Sequence, residues 1–62
     1  MGNADVVKLK QAGISEQVMV EAITSAAVVS FELDATHVIE LHNAGVPDVV
    51  IQAMLRRANP RS

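Results

Sequence analysis

Sixty-two residues with a formal net charge of −2, no cysteine and half of their side chains apolar describe one small domain with no disulfide staple. A chain of this size buries only about 60% of its unfolded surface, and because Val and Ala dominate the apolar set while Phe31 is the sole aromatic, the expected core is thin. The acidic balance argues against a nucleic-acid binder; Ala26–Val29, the longest apolar run, is far too short to cross a bilayer; and the first residues lack the layout of a signal peptide.

Taken in chain order, residues 3–27 read as helix, tight turn, helix. Asn3 or Asp5 is placed to cap the first helix, Val6 and Leu9 form its apolar stripe, and Lys8, Lys10 and Gln11 keep the other side polar. Gly13 suits the left-handed residue just past a helix end, so this helix is predicted to stop at Ala12. Ile14 then packs back onto the hairpin. Ser15 reads as the N-cap of helix two, with Glu16 near its positive end. Val18, Ala22, Ile23 and Ala26 have the spacing of a buried face.

Residues 28–33 read as an extended linker, with Phe31 and Leu33 as core plugs. A strand is disfavoured there because no other segment reads as a β partner. Residues 34–58 repeat the hairpin. Asp34 is the predicted cap, Val38 and Leu41 face inward, Gly45 ends helix three and Pro47 stands at a tolerated position in the opening of helix four. Val50, Met54, Leu55 and Ala58 form the inner face of helix four, which Pro60 is expected to end. Residues 59–62 form a tail, and both Met1-Gly2 and that tail read as the edges of a fragment cut from a longer protein. The fold expectation is all-α, a single domain over residues 1–62, with four short helices in two hairpins related by a pseudo-twofold axis.

The two hairpins correspond residue by residue. Residues 5–26 lie over residues 37–58 without a gap, matching Val6, Leu9, Ala12, Gly13, Val18 and Ala26 to Val38, Leu41, Ala44, Gly45, Val50 and Ala58. Conservative pairs such as Ile14/Val46, Met19/Ile51 and Ile23/Leu55 fill the intervals. The reading is one structural unit used twice.

Val6-Val7-Lys8-Leu9-Lys10-Gln11-Ala12-Gly13-Ile14-Ser15, Phe31-Glu32-Leu33, Val38-Ile39-Glu40-Leu41-His42-Asn43-Ala44-Gly45-Val46 and Val50-Ile51-Gln52-Ala53-Met54-Leu55 carry a resemblance. Over roughly residues 4–57 the chain resembles a tandem helical-hairpin repeat of bacterial, often envelope-associated proteins. That resemblance implies a helical fold and an adaptor-like role, with no catalytic residue. Ala12-Gly13-Ile14 followed by Ala22-Ile23 is also similar to the loop of ubiquitin-associated domains, without its aromatic residue. Helix-hairpin-helix DNA-binding modules share an apolar-Gly turn, but Gly13-Ile14-Ser15 and Gly45-Val46-Pro47 lack the second glycine, and Pro47 removes a backbone donor.

Candidate sites are few. His37 and His42 are five residues apart, about 140° around a helix, and so lie on different faces. His37 and Glu40 could share an ion, but two ligands do not make a site. Both histidines read as surface residues. No serine has a base at helical spacing, and Arg56, Arg57 and Arg61 read as complements to the negative end of helix four. The repeat offers a sharper criterion, because a position apolar in only one copy is not required by the fold. Val20, Val49 and Ala53, which lie opposite Gln52, Gln17 and Glu21, therefore mark an expected interaction surface. The functional expectation is a non-enzymatic helical module for protein interaction or oligomerisation, needing no metal or cofactor. Its partner would be a second copy, as a homodimer that could exchange hairpins, or another protein. A nucleic-acid-binding helix-hairpin-helix pair is the alternative.

Overall fold

The computed structural model describes residues 1–58. It holds four helices, α1 (Asn3–Gln11), α2 (Glu16–Ser25), α3 (Ala35–Asn43) and α4 (Asp48–Ala58). Pro60 and Arg61 lie outside the described residues.

Both turns are built alike. Gly13 has φ of 80° and Gly45 has φ of 92°, the left-handed region where a side chain is strained. At the end of α1 the Gly13 N–H donates to the Lys10 carbonyl and the Ile14 N–H to the Leu9 carbonyl. At the end of α3, Gly45 donates to His42 and Val46 to Leu41 in the same way. This paired pattern satisfies carbonyls that a helix end leaves unbonded.

The helix starts differ from one another. Ser15 caps α2 as expected, its hydroxyl accepting from the Val18 N–H at 3.4 Å. Gly2, not Asn3 or Asp5, is the N-cap of α1. The Asp5 carboxylate accepts from the Gly2 N–H at 2.9 Å, which supplies one half of a capping box. Asp34 occupies the N-cap position of α3, but its side chain makes no capping bond because His37 holds it. Pro47 immediately precedes α4, and its carbonyl accepts from Val50 and Ile51.

The linker does have a partner. Gly2 and Ser30 form an isolated parallel bridge, with the Ser30 N–H donating to the Met1 carbonyl at 2.8 Å. The Met1 ammonium donates to the Val28 carbonyl at 2.8 Å. Asn3 extends the pairing with its side chain: its Nδ2 donates to the Glu32 carbonyl at 2.8 Å and its Oδ1 accepts from the Glu32 N–H at 3.0 Å. Asn3 is thus spent on the linker, since a side-chain amide matches the donor and acceptor of a peptide group. Met1-Gly2, read from sequence as an edge, is hydrogen-bonded into the fold. Phe31 and Leu33 pack against the core but are only partly buried, so neither is a fully enclosed plug.

One core joins the hairpins: Val6, Met19 and Ile23 from the first, with Leu41, Val46, Val50, Ile51, Ala53 and Met54 from the second. The principal helix contact is α2 against α4. Each large side chain buried there contributes about 1.5–3 kcal/mol. The predicted face of α2 is rotated, because Met19 and Ile23 point inward while Val18 is exposed and Ala22 and Ala26 are partly buried. On α4, Val50 and Met54 are buried as predicted, whereas Leu55 and Ala58 are exposed and Ile51 and Ala53 take up the inner face. The helix spans and the turns recur at one spacing, but burial does not follow a twofold relation.

Candidate functional site

Val20, on α2, and Val49, in the first turn of α4, come together at one open groove of about 420 Å³. Glu16, Gln17 and Glu21 complete its lining. Val49 is exposed and Val20 partly buried, so both present apolar surface beside two carboxylates. Ala53 is not part of this surface. It is 5% exposed and belongs to the core. The comparison with Glu21 misplaced it because the two hairpins do not bury the same positions.

A second open groove of about 410 Å³ lies between α3 and α4, lined by Val38, Ile39, His42, Asp48, Ile51 and Gln52. Sequence comparison missed it, since Ile39 is matched by Val7 and so passes as a core position. Helical geometry carried the missing signal. Val38, Ile39 and Leu41 cannot share one face, because Ile39 stands about 160° from Leu41 around the helix. Ile39 is accordingly exposed. At the rim His42 Nδ1 lies 3.7 Å from the Asp48 carboxylate, with both side chains largely in solvent.

His37 links α3 to the linker. Its Nδ1 meets the Asp34 carboxylate in a short contact, and its Nε2 lies 3.8 Å from Glu32. The hydrogen bond from His37 holds the Asp34 carboxyl below its ordinary range, and the Asp34 carboxylate raises the His37 imidazole, with Glu32 and Glu40 adding to that effect. His37 and Glu40 do not form a metal-binding cluster, and no group of three or more suitable side chains does so among the described residues.

Arg56 and Arg57 stand in the last turn of α4, as expected, and Arg57 also reaches a second helix. Its guanidinium donates at 2.6 Å to the carbonyl of Ala26, the C-cap of α2, which has no basic residue in its own last turn. It therefore complements the negative end of α2 and ties α4 to it. No polar or charged side chain is buried among the described residues, so every titratable group there lies at or near the surface. No helix among them is long and apolar enough to cross a membrane. Searches of family models, curated proteins and solved structures give no match to this chain.

Proposed function

We propose that this chain is a non-enzymatic helical module, one hairpin unit used twice, that engages another protein or a second copy through the outer faces of α2 and α4. The observation that carries the reading is the groove where Val20 and Val49 meet beside Glu16 and Glu21. Val49 is exposed and Val20, although it packs against the core on one side, is only partly buried, so both leave apolar surface for a partner. Carboxylates at the rim favour a partner that carries Lys or Arg next to its apolar contacts. The nucleic-acid alternative finds less support. A phosphate held at the turns would need their amides, yet Gly13, Ile14, Gly45 and Val46 all donate to helix carbonyls.

The test is an amide-shift titration with a helical peptide that presents Leu on one face and Lys on the other. Binding is expected to move the signals of Val20 and Val49, to weaken with salt, and to be lost in a Val49→Ser, Val20→Ser double variant that circular dichroism shows to be folded at the titration temperature, with Val49→Ser alone, at an exposed site, weakening it in part. Shifts confined to other surfaces, or equal binding by the double variant, would reject the groove.

A further inference from the structure

α2 and α4 pack side by side and run in the same direction. Val20 of α2 and Val49 of α4 line one groove, and further along Arg57 of α4 reaches the Ala26 carbonyl at the end of α2. The face that holds the groove therefore has a direction. Glu16 lies at its beginning, in the first turn of α2, one helical turn before Val20. Arg56 follows Val49 by seven residues, so it stands about 20° away around α4 and about 10 Å further along it. It is exposed, and among the described residues no carboxylate forms an ion pair with it. Along this face the order is carboxylate, apolar pair, guanidinium.

Such an order matches itself when turned end for end. A twofold axis through the valines, perpendicular to the face, sets α2 of one copy antiparallel over α4 of the other. Val20 then meets Val49 of the second copy, and Glu16 comes opposite Arg56 of the second copy. Each contact is made twice, as an isologous interface requires. Glu21 stands about 100° from Val20 around α2 and flanks the patch. The valines supply apolar contact, and the charges at either end set the register.

We infer that the occupant of this groove is a second copy of the chain, in a closed twofold pair where Val20 and Val49 cover one another and Glu16 pairs with Arg56 across the axis. The inference rests on the proposed reading of the groove as a binding surface, and it names the partner. A closed pair covers this face on both copies, so association stops at two chains.

Sedimentation equilibrium up to millimolar concentration tests it, on the wild-type chain and on Glu16→Arg and Arg56→Glu variants. The wild-type mass is expected to rise to that of a dimer and stop there. Each reversal sets like charges together twice and should weaken the dimer about tenfold. An equimolar mixture of the two variants restores opposite charges at both contacts and should recover the dimer, as should both reversals in one chain. Circular dichroism checks that each variant is folded, since both sites stand near helix ends. Glu16→Gln and Arg56→Gln replace a reversal that unfolds the chain, and each should weaken the dimer by a smaller factor. A wild-type chain that stays monomeric at millimolar concentration overturns the inference. So does a dimer that the charge variants leave unchanged, one that the mixed reversals fail to restore, or a mass that climbs beyond two chains. Binding of the Leu- and Lys-bearing peptide at Val20 and Val49 by a monomeric chain would leave the groove standing and reject the second copy as its occupant. A chain that neither binds the peptide nor self-associates would reject both readings.

Discussion

Val18 and Val50 stand at the same step of α2 and α4, and the turns before them carry the same hydrogen bonds, yet beyond the Met19/Ile51 position that both helices bury, α2 buries Ile23 while α4 buries Val50, Ala53 and Met54. Equivalent backbone positions thus carry unequal energetic weight. Local geometry is decided within a few residues of each turn, whereas burial depends on which neighbour happens to cover a side chain. Aligning the two hairpin sequences therefore predicts turns well and core membership less well.

The sharpest way to break this comparison is to truncate equivalent side chains. Ile23→Ala, at a site with no exposure, is expected to cost about 3 kcal/mol in chemical denaturation. Leu55→Ala, at the equivalent exposed site, should cost less than about 1 kcal/mol, since little apolar area is lost there. Equal losses would mean that the hairpins bury matching faces after all. Phe31→Ala comes next at about 2 kcal/mol, below the range for a fully enclosed phenylalanine because Phe31 is only partly buried. Thermal melts of that variant separate this expectation from the larger loss that an enclosed plug would give.

The turns should respond alike where the helices do not. Gly13→Ala and Gly45→Ala are each expected to cost about 1 kcal/mol, because both glycines have positive φ. A Cβ at Gly13 meets nothing within 4 Å, while one at Gly45 comes 3.3 Å from Lys10 Cε. The flexible end of that lysine can move aside, so the Gly45 variant should melt only slightly below the Gly13 variant.

The smallest effect belongs to the His37–Asp34 pair, which has no counterpart in the first hairpin, where Asp5 occupies the position of His37. Raised in the fold, the His37 imidazole stabilises most when protonated, and this contribution fades as pH climbs past its ordinary value of 6.5 and through its folded value. Lowered in the fold, the Asp34 carboxyl stabilises when ionised, and its contribution fades as pH falls below its ordinary value of 3.8. Stability from the pair is therefore expected to peak between those two values. Asp34→Asn should flatten that dependence and lower the imidazole titration midpoint followed by NMR. An unchanged His37 titration in the variant would show that the contact does not persist in solution.

Much of this architecture could be read from residues alone. Ala12-Gly13-Ile14 and Ala44-Gly45-Val46 announce helix ends because a left-handed residue and its two returning hydrogen bonds involve only a short stretch of chain. Ser15 announced the start of α2 for the same reason. Asn3, Asp34 and Arg57 did not reveal their roles, since each uses its side chain on a group that the sequence offers no means of ranking: the Glu32 backbone, His37 and the Ala26 carbonyl. Of the expected interaction residues, Val20 and Val49 came to one groove, but Ala53 went into the core.

By itself the sequence determined four helices, two glycine turns and an extended linker, because hydrogen bonding and φ preference act over one or two turns of chain. Tertiary structure decided which apolar stripe of each helix became core. On α2 both Val18-Ala22 and Met19-Ile23 satisfy the helical period, and only the approach of α4 selects the second. It likewise brought Val20 to Val49, residues on separate helices whose meeting depends on how α2 lies against α4.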